Sequence, residues 1–189
     1  MLPAALGRLD AGALTRETAL VLGGAAVLAL AAKVQVPFWP VPMTLHTLAV
    51  MGFAVALGPR RAVAIFLAYL AAGAAGLPVF SGSPERGIGI AYMVGPTGGY
   101  LAGYLVASWL VGALAAGRGV FGRLGAMLAG LAVIYAFGLA WLALYVPSAK
   151  LLAAGLVPFL LGDLVKIAMV ALVAAALPPL LNRLMGGIR

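Results

Sequence analysis

Cysteine is absent from the chain, so disulfides, thiolate metal sites and a thiol nucleophile are excluded. Histidine is almost absent: His46 is the only one, and with neither cysteine nor a nearby carboxylate beside it no metal site is expected. Charge is scarce too, at 8% of residues, with 4 Asp+Glu against 12 Lys+Arg. No phosphate-cradling G-x-x-x-x-G-K-[ST] occurs, so ATP hydrolysis must come from other chains. One histidine and one carboxylate within an apolar span assemble no Ser/His, paired-Asp or H-E-x-x-H arrangement, and an enzyme is not expected. The net charge of +8 lacks any basic cluster interleaved with stacking aromatics, which argues against nucleic acid.

What is abundant is apolar. The 189 residues are 65% hydrophobic with a mean hydropathy of +1.17, in the range of a polytopic membrane protein rather than a soluble domain. Residues 1–15, MLPAALGRLDAGALT, are too polar and too interrupted for a signal peptide, so the first apolar segment is expected to stay in the protein. With about 20 apolar residues per crossing, the chain divides into six spans near 17–36, 43–57, 62–79, 97–116, 124–146 and 156–177. The fold class is therefore all-α, one membrane domain over 1–189 with six transmembrane helices.

The positive-inside rule orients it. Arg8, Arg16, Arg60, Arg61, Arg118, Arg123, Arg183 and Arg189 fall on one side, and only Lys33, Arg86 and Lys150 on the other. Both termini are then cytoplasmic, and the second, fourth and sixth spans start at the outer face. Trp39 and Tyr145 suit interfacial anchors. Each inward-running span opens on a polar motif: PFWPVPMTLHTL, GPTGGY and GDLVK. Helix N-termini present unpaired N–H groups and favour an anion or a strong acceptor.

In GPTGGY the glycines ease either the approach of a ligand or the packing of a neighbouring helix. Thr97 can cap the helix or contact a ligand. Thr44 and His46 flank one turn, where a hydrogen bond to ligand or neighbour is expected. Asp163 and Lys166, spaced i, i+3, share a helix face. In hydrocarbon each charge costs about 2.5–3.5 kcal/mol even on the mild insertion scale, so the pair either locks the bundle or grips a ligand. The long segment LPVFSGSPERGIGIAYMVGP, 77–96, carries Phe80, Ile88, Ile90 and Tyr92. It reads as a cover over the site or as a loop resting in the headgroups.

The ordered set PVPMTLHTLAV, GPRRAVAIFLAYLAAGAAGLPVFSG, GPTGGYLAGYLVASWLVG and GDLVK resembles the BioY family, the biotin-specific substrate-capture subunit of energy-coupling factor transporters. The resemblance covers about residues 35–178. It implies a six-helix subunit in a prokaryotic plasma membrane that binds biotin near the outer face, needs no cofactor, and works with a transmembrane coupling subunit and a pair of ABC ATPases. By position, the family's substrate contacts fall on Asp163 and Lys166, on Thr44 and His46, and around Phe80, Ser81, Tyr92, Gly95, Thr97 and Tyr100. Many members carry Gln where this chain has His46. An Ala-xxx-Ala signature that docks on the coupling subunit falls on Ala25 and Ala29. From the residues alone a second reading stays open, a self-sufficient carrier in which Asp163 and Lys166 exchange a proton as a small carboxylate vitamin passes.

Overall fold

The computed structural model describes residues 11–36 and 40–186, and the side chains of all of these except 36 and 177–186. Arg8, Trp39 and Arg189, and the side chain of Arg183, lie outside the described residues. The elements are α1 (Ala11–Lys33), the short strands β1 (Gln35–Val36) and β2 (Met43–Thr44), α2 (His46–Ala74), α3 (Gly89–Met93), α4 (Gly98–Ala115), α5 (Val120–Leu142), α6 (Ser148–Gly155) and α7 (Val157–Gly186). Helices α3 and α6 were not expected from the sequence, and the third span, expected to reach residue 79, ends at Ala74.

Five helices among the described residues are long and apolar enough to cross a membrane, yet the chain makes six passes. The difference lies in α2. Gly58 sits at φ 77° and ψ 177° inside it, followed by Pro59, which has no N–H to continue a helical ladder. The ring of His46 lies 5.7 Å from Phe66 and 4.9 Å from Tyr69, centroid to centroid. A straight helix at 1.5 Å per residue would hold His46 and Tyr69 about 34 Å apart. The chain therefore reverses at Gly58, and segments 46–57 and 59–74 form a helical hairpin. Helix α4 packs on that reversal through Gly112, where a Cβ would lie 2.5 Å from the Pro59 nitrogen.

That reversal shares one end of the bundle with the start of α1, through the Glu17–Arg61 ion pair, and with the end of α4. The arginines Arg16, Arg60 and Arg61 lie there. Near the same end, α7 meets Pro178, which cannot donate to the carbonyl of Ala174 four residues back. Arg123 of α5 donates Nη1 to that carbonyl at 2.9 Å, a side-chain repair of the kind that proline breaks in membrane helices require.

The interior consists of two apolar clusters. One gathers Met51, Val111, Met127, Ile134 and Ile167 from α2, α4, α5 and α7. The other gathers Leu28, Ile65, Phe66, Tyr69 and Phe80 from α1, α2 and the 77–97 segment. Outside, Leu30, Leu161 and Leu172 are 65–76% exposed, a surface suited to lipid and not to water. At the end opposite the arginines, β1 and β2 pair antiparallel, Gln35 against Thr44, and form a strap over the gap between the clusters.

Candidate functional site

Under the strap lies a cavity of ≈ 70 Å³, room for a handful of waters at about 10–15 Å³ each. Helices α2, α4 and α7 begin around it with His46, Gly98 and Val157. Asp163 and Lys166, one turn apart on α7, both line it and are 5% and 8% exposed. Lys166 Nζ donates to Asp163 Oδ1 at 2.8 Å and to the Thr44 carbonyl of the strap at 2.7 Å. The other carboxylate oxygen accepts the Tyr135 hydroxyl of α5 at 2.8 Å. A buried charge pair holds only if its remaining lone pairs and protons find partners. Here three elements supply them.

The facing wall is aromatic. His46, 4% exposed, sits edge-on to Phe66 and Tyr104 and tilted against Tyr69. The Leu28 carbonyl of α1 faces its ring, yet neither ring nitrogen completes a hydrogen bond among the described residues. Its backbone N–H donates to Thr44 Oγ1 at 3.1 Å, which turns the strap into α2. One position on, Thr47 Oγ1 and the Tyr104 hydroxyl are 2.7 Å apart, and either can donate.

The 77–97 segment covers the cavity. Two of its apolar side chains, Phe80 and Tyr92, turn inward and stack at 4.7 Å. The other two, Ile88 and Ile90, are 46% and 66% exposed. Lys33, at the end of α1, donates to the carbonyls of Phe80 at 3.0 Å and Ser83 at 2.7 Å and to Ser83 Oγ at 3.0 Å. The Ser81 hydroxyl donates to the Gln35 side chain, and Arg86 donates to the Pro40 carbonyl at 3.0 Å. Lys33 thus ties the end of α1 to the cover, and Arg86 ties the cover to the strap.

Of the ten residues expected around a ligand, eight line this one cavity: Thr44, His46, Ser81, Tyr92, Thr97, Tyr100, Asp163 and Lys166. Two do not. Phe80 is fully buried behind the wall; its ring lies over Gly73, where a Cβ would come within 2.0 Å of it, so it seats Tyr69 and Tyr92. Gly95 lies in a separate recess with Glu85 and Arg86, its carbonyl accepting the Trp141 indole N–H at 2.9 Å. Thr97 makes no capping bond to α4. Gly99 of GPTGGY serves packing: a Cβ there would fall 2.2 Å from Trp141 Cβ. Ala25 is 9% exposed and belongs to the α1–α2 cluster, and Ala29 is partly buried against it; the side of α1 that carries Gly24, Ala25, Leu28 and Ala32 faces inward.

Sequence reasoning missed Tyr135, Tyr104, Thr47 and Tyr69, all on the cavity. Tyr104 stood one turn beyond Tyr100 in GYLAGY, a spacing that shares a face. Nothing marked Tyr135, a single phenol in an apolar span.

A model of the BioY family matches residues 5–183. The probable biotin transporter BioY of Pyrococcus horikoshii is 36% identical over 162 residues, 86% of this chain and 96% of that protein. The biotin transporter BioY of Thermotoga maritima is 38% identical over 157 residues, 82% and 91% of the two chains. Among solved structures, the S-component for biotin from an ECF-type ABC transporter superposes with a TM-score of 0.76 at 24% identity, covering 90% of this chain and 95% of that one. At that identity the likeness establishes a common fold.

Proposed function

The chain belongs to the BioY family, and from that premise we propose that it is a multi-pass plasma-membrane subunit that captures biotin in the strap-covered cavity and passes it inward. Its family is one of transporters, not enzymes. Energy for release comes from a pair of partner ABC ATPases through a transmembrane coupling subunit. The observation that carries this reading is the buried Asp163–Lys166 pair on the cavity wall. Intramembrane ionisable groups mark a functional site by default.

Biotin presents two ureido N–H donors and one carbonyl on a fused ring, and a carboxylate on a flexible tail. Asp163 accepts from N–H, and the Lys166 ammonium donates to a carbonyl or carboxylate. Thr44, His46, Ser81, Tyr92, Thr97 and Tyr100 line the rest of the pocket as ligand contacts. A cavity of ≈ 70 Å³ is smaller than the roughly 150 Å³ that takes a benzene molecule, so a two-ring ligand enters only when strap and cover lift. Lys166 couples the two events, because a ligand that claims its ammonium competes with the Thr44 carbonyl of the strap. With the arginine-rich end in the cytoplasm, this opening faces outward. Docking on the coupling subunit uses the outer side of α1 through Ala29, with Ala25 packed behind it.

The test has two parts. Isothermal titration of the detergent-solubilised chain with biotin is expected to show saturable binding at one site, and no heat of binding would end the proposal. Uptake of labelled biotin by cells lacking every coupling subunit, with and without a protonophore, separates the two energy sources. Uptake that needs the coupling subunit supports the proposal; uptake without it that a protonophore abolishes supports the proton-coupled carrier.

A further inference from the structure

We infer that Tyr135 is a specificity-determining residue of this site, its hydroxyl oxygen acting as a fixed acceptor that admits a ligand N–H and refuses an oxygen or an N-alkyl group in the same place. The inference rests on the biotin-binding reading and adds a discrimination rule that the Asp163–Lys166 pair does not supply.

A phenol ordinarily donates or accepts as its partner requires. Tyr135 has lost that freedom. Its neighbour Asp163 already accepts the Lys166 ammonium on Oδ1 at 2.8 Å, and a carboxylate in such an ion pair accepts only. The proton between Asp163 Oδ2 and the Tyr135 hydroxyl, 2.8 Å apart, therefore belongs to Tyr135 and points at Asp163. What the phenol has left is acceptor capacity. Tyr135 lines the cavity next to Ile134 and is 7% exposed, so water reaches little of it.

Tyr104 on the same cavity shows the contrast. Its partner is the Thr47 hydroxyl, and either oxygen can be the donor. Two hydroxyls that exchange roles tolerate a donor or an acceptor in the ligand; a phenol locked by a carboxylate does not. A buried group with one permitted role rejects the wrong ligand because the mismatch leaves two acceptors face to face and unpaired. The ligand class is accordingly one that presents an unsubstituted N–H at this edge, as the ureido ring of biotin does.

The experiment is equilibrium binding of biotin, and of its two analogues methylated at one or other ureido nitrogen, to the wild-type chain and to Tyr135→Phe and Tyr135→Gln. Wild type is expected to prefer biotin over at least one methyl analogue by about 100-fold, with Phe binding biotin about 10- to 100-fold more weakly, the scale of one hydrogen bond to a charge-linked group. In Phe the preference over that analogue shrinks by about tenfold. Gln can donate its amide N–H to Asp163 and accept through its carbonyl, and so retains the preference; this variant also stands in if the Phe protein does not fold. Equal weakening of biotin and analogue by Phe, or a Gln variant without preference, would reduce Tyr135 to scaffold and overturn the inference while leaving biotin binding intact. Failure of wild type to bind biotin at all would remove both.

Discussion

The two walls of the cavity are built on opposite principles. On the α5–α7 wall both Asp163 oxygens and two of the three Lys166 protons have partners, in Tyr135, in each other and in the Thr44 carbonyl. On the α1–α2 wall the His46 ring is packed among Phe66, Tyr69 and Tyr104, with both ring nitrogens lacking a bond among the described residues. The first wall is preorganised: its dipoles are aimed before a ligand arrives, and on binding only the Thr44 carbonyl of the strap has to give way. The second is a shaped aromatic surface with one unsatisfied polar group, and its contribution is mostly shape and contact. In the account proposed here, specificity comes from the first wall and fit from the second.

Breaking the first wall should have the largest effect. Asp163→Asn or Lys166→Ala leaves the surviving charge buried and alone, a loss of about 3–5 kcal/mol. Biotin affinity should fall by two orders of magnitude or more in titration calorimetry, and the melting temperature in detergent should fall with it. Near-native affinity in both variants would mean that the walls do not differ as described.

The second wall should respond less, and with the opposite sign in stability. Replacing a buried, unbonded polar group by an apolar ring removes a desolvation penalty of about 1–3 kcal/mol. His46→Phe is therefore expected to raise the melting temperature by a few degrees and to weaken biotin no more than about tenfold, the worth of one neutral hydrogen bond. His46→Gln, which restores an amide donor and acceptor, should bind at least as well as wild type. A loss of 100-fold or more with Phe would make His46 the equal of Asp163 and erase the contrast.

The smallest effect belongs to the cover that spans both walls. Lys33→Met removes three hydrogen bonds to Phe80 and Ser83, and Lys33 is not itself part of the cavity lining. Association and dissociation of biotin should each quicken by about 3- to 10-fold with little change in Kd, as expected when a closing segment is loosened and the contacts beneath it are kept. Stopped-flow fluorescence of Trp141, which is bonded to Gly95 beside the cover, would follow both rates. Unchanged rates would show that the latch does not limit opening.

The sequence revealed these regions unequally, for a physical reason. Charge in an apolar span is conspicuous, because lipid penalises it wherever it points, so Asp163 and Lys166 were legible at once. The turn chemistry of GPRR marked the reversal at Gly58, which the regular helix pattern across 46–74 hides. Tyr135 was not legible. In a soluble helix the polar face announces the buried one, whereas α5 and α7 are apolar all round because their outer side meets lipid. Nothing in the pattern then tells an inward phenol from one at the surface. The family resemblance placed Ala25 at a docking surface and Phe80 among the ligand contacts; in the structure Ala25 packs within the α1–α2 cluster and the Phe80 ring lies over Gly73.

The central claim is that the Asp163–Lys166 pair holds a ligand and not merely the bundle. A crystal or cryo-electron structure of the chain purified with biotin tests it most directly. The account predicts the bicyclic ring in the cavity, hydrogen-bonded to Asp163 or Lys166, with the Thr44 carbonyl drawn away from the ammonium. Biotin bound elsewhere, with the Lys166–Thr44 and Lys166–Asp163 bonds unaltered and no ligand atom within reach of either charge, would contradict it.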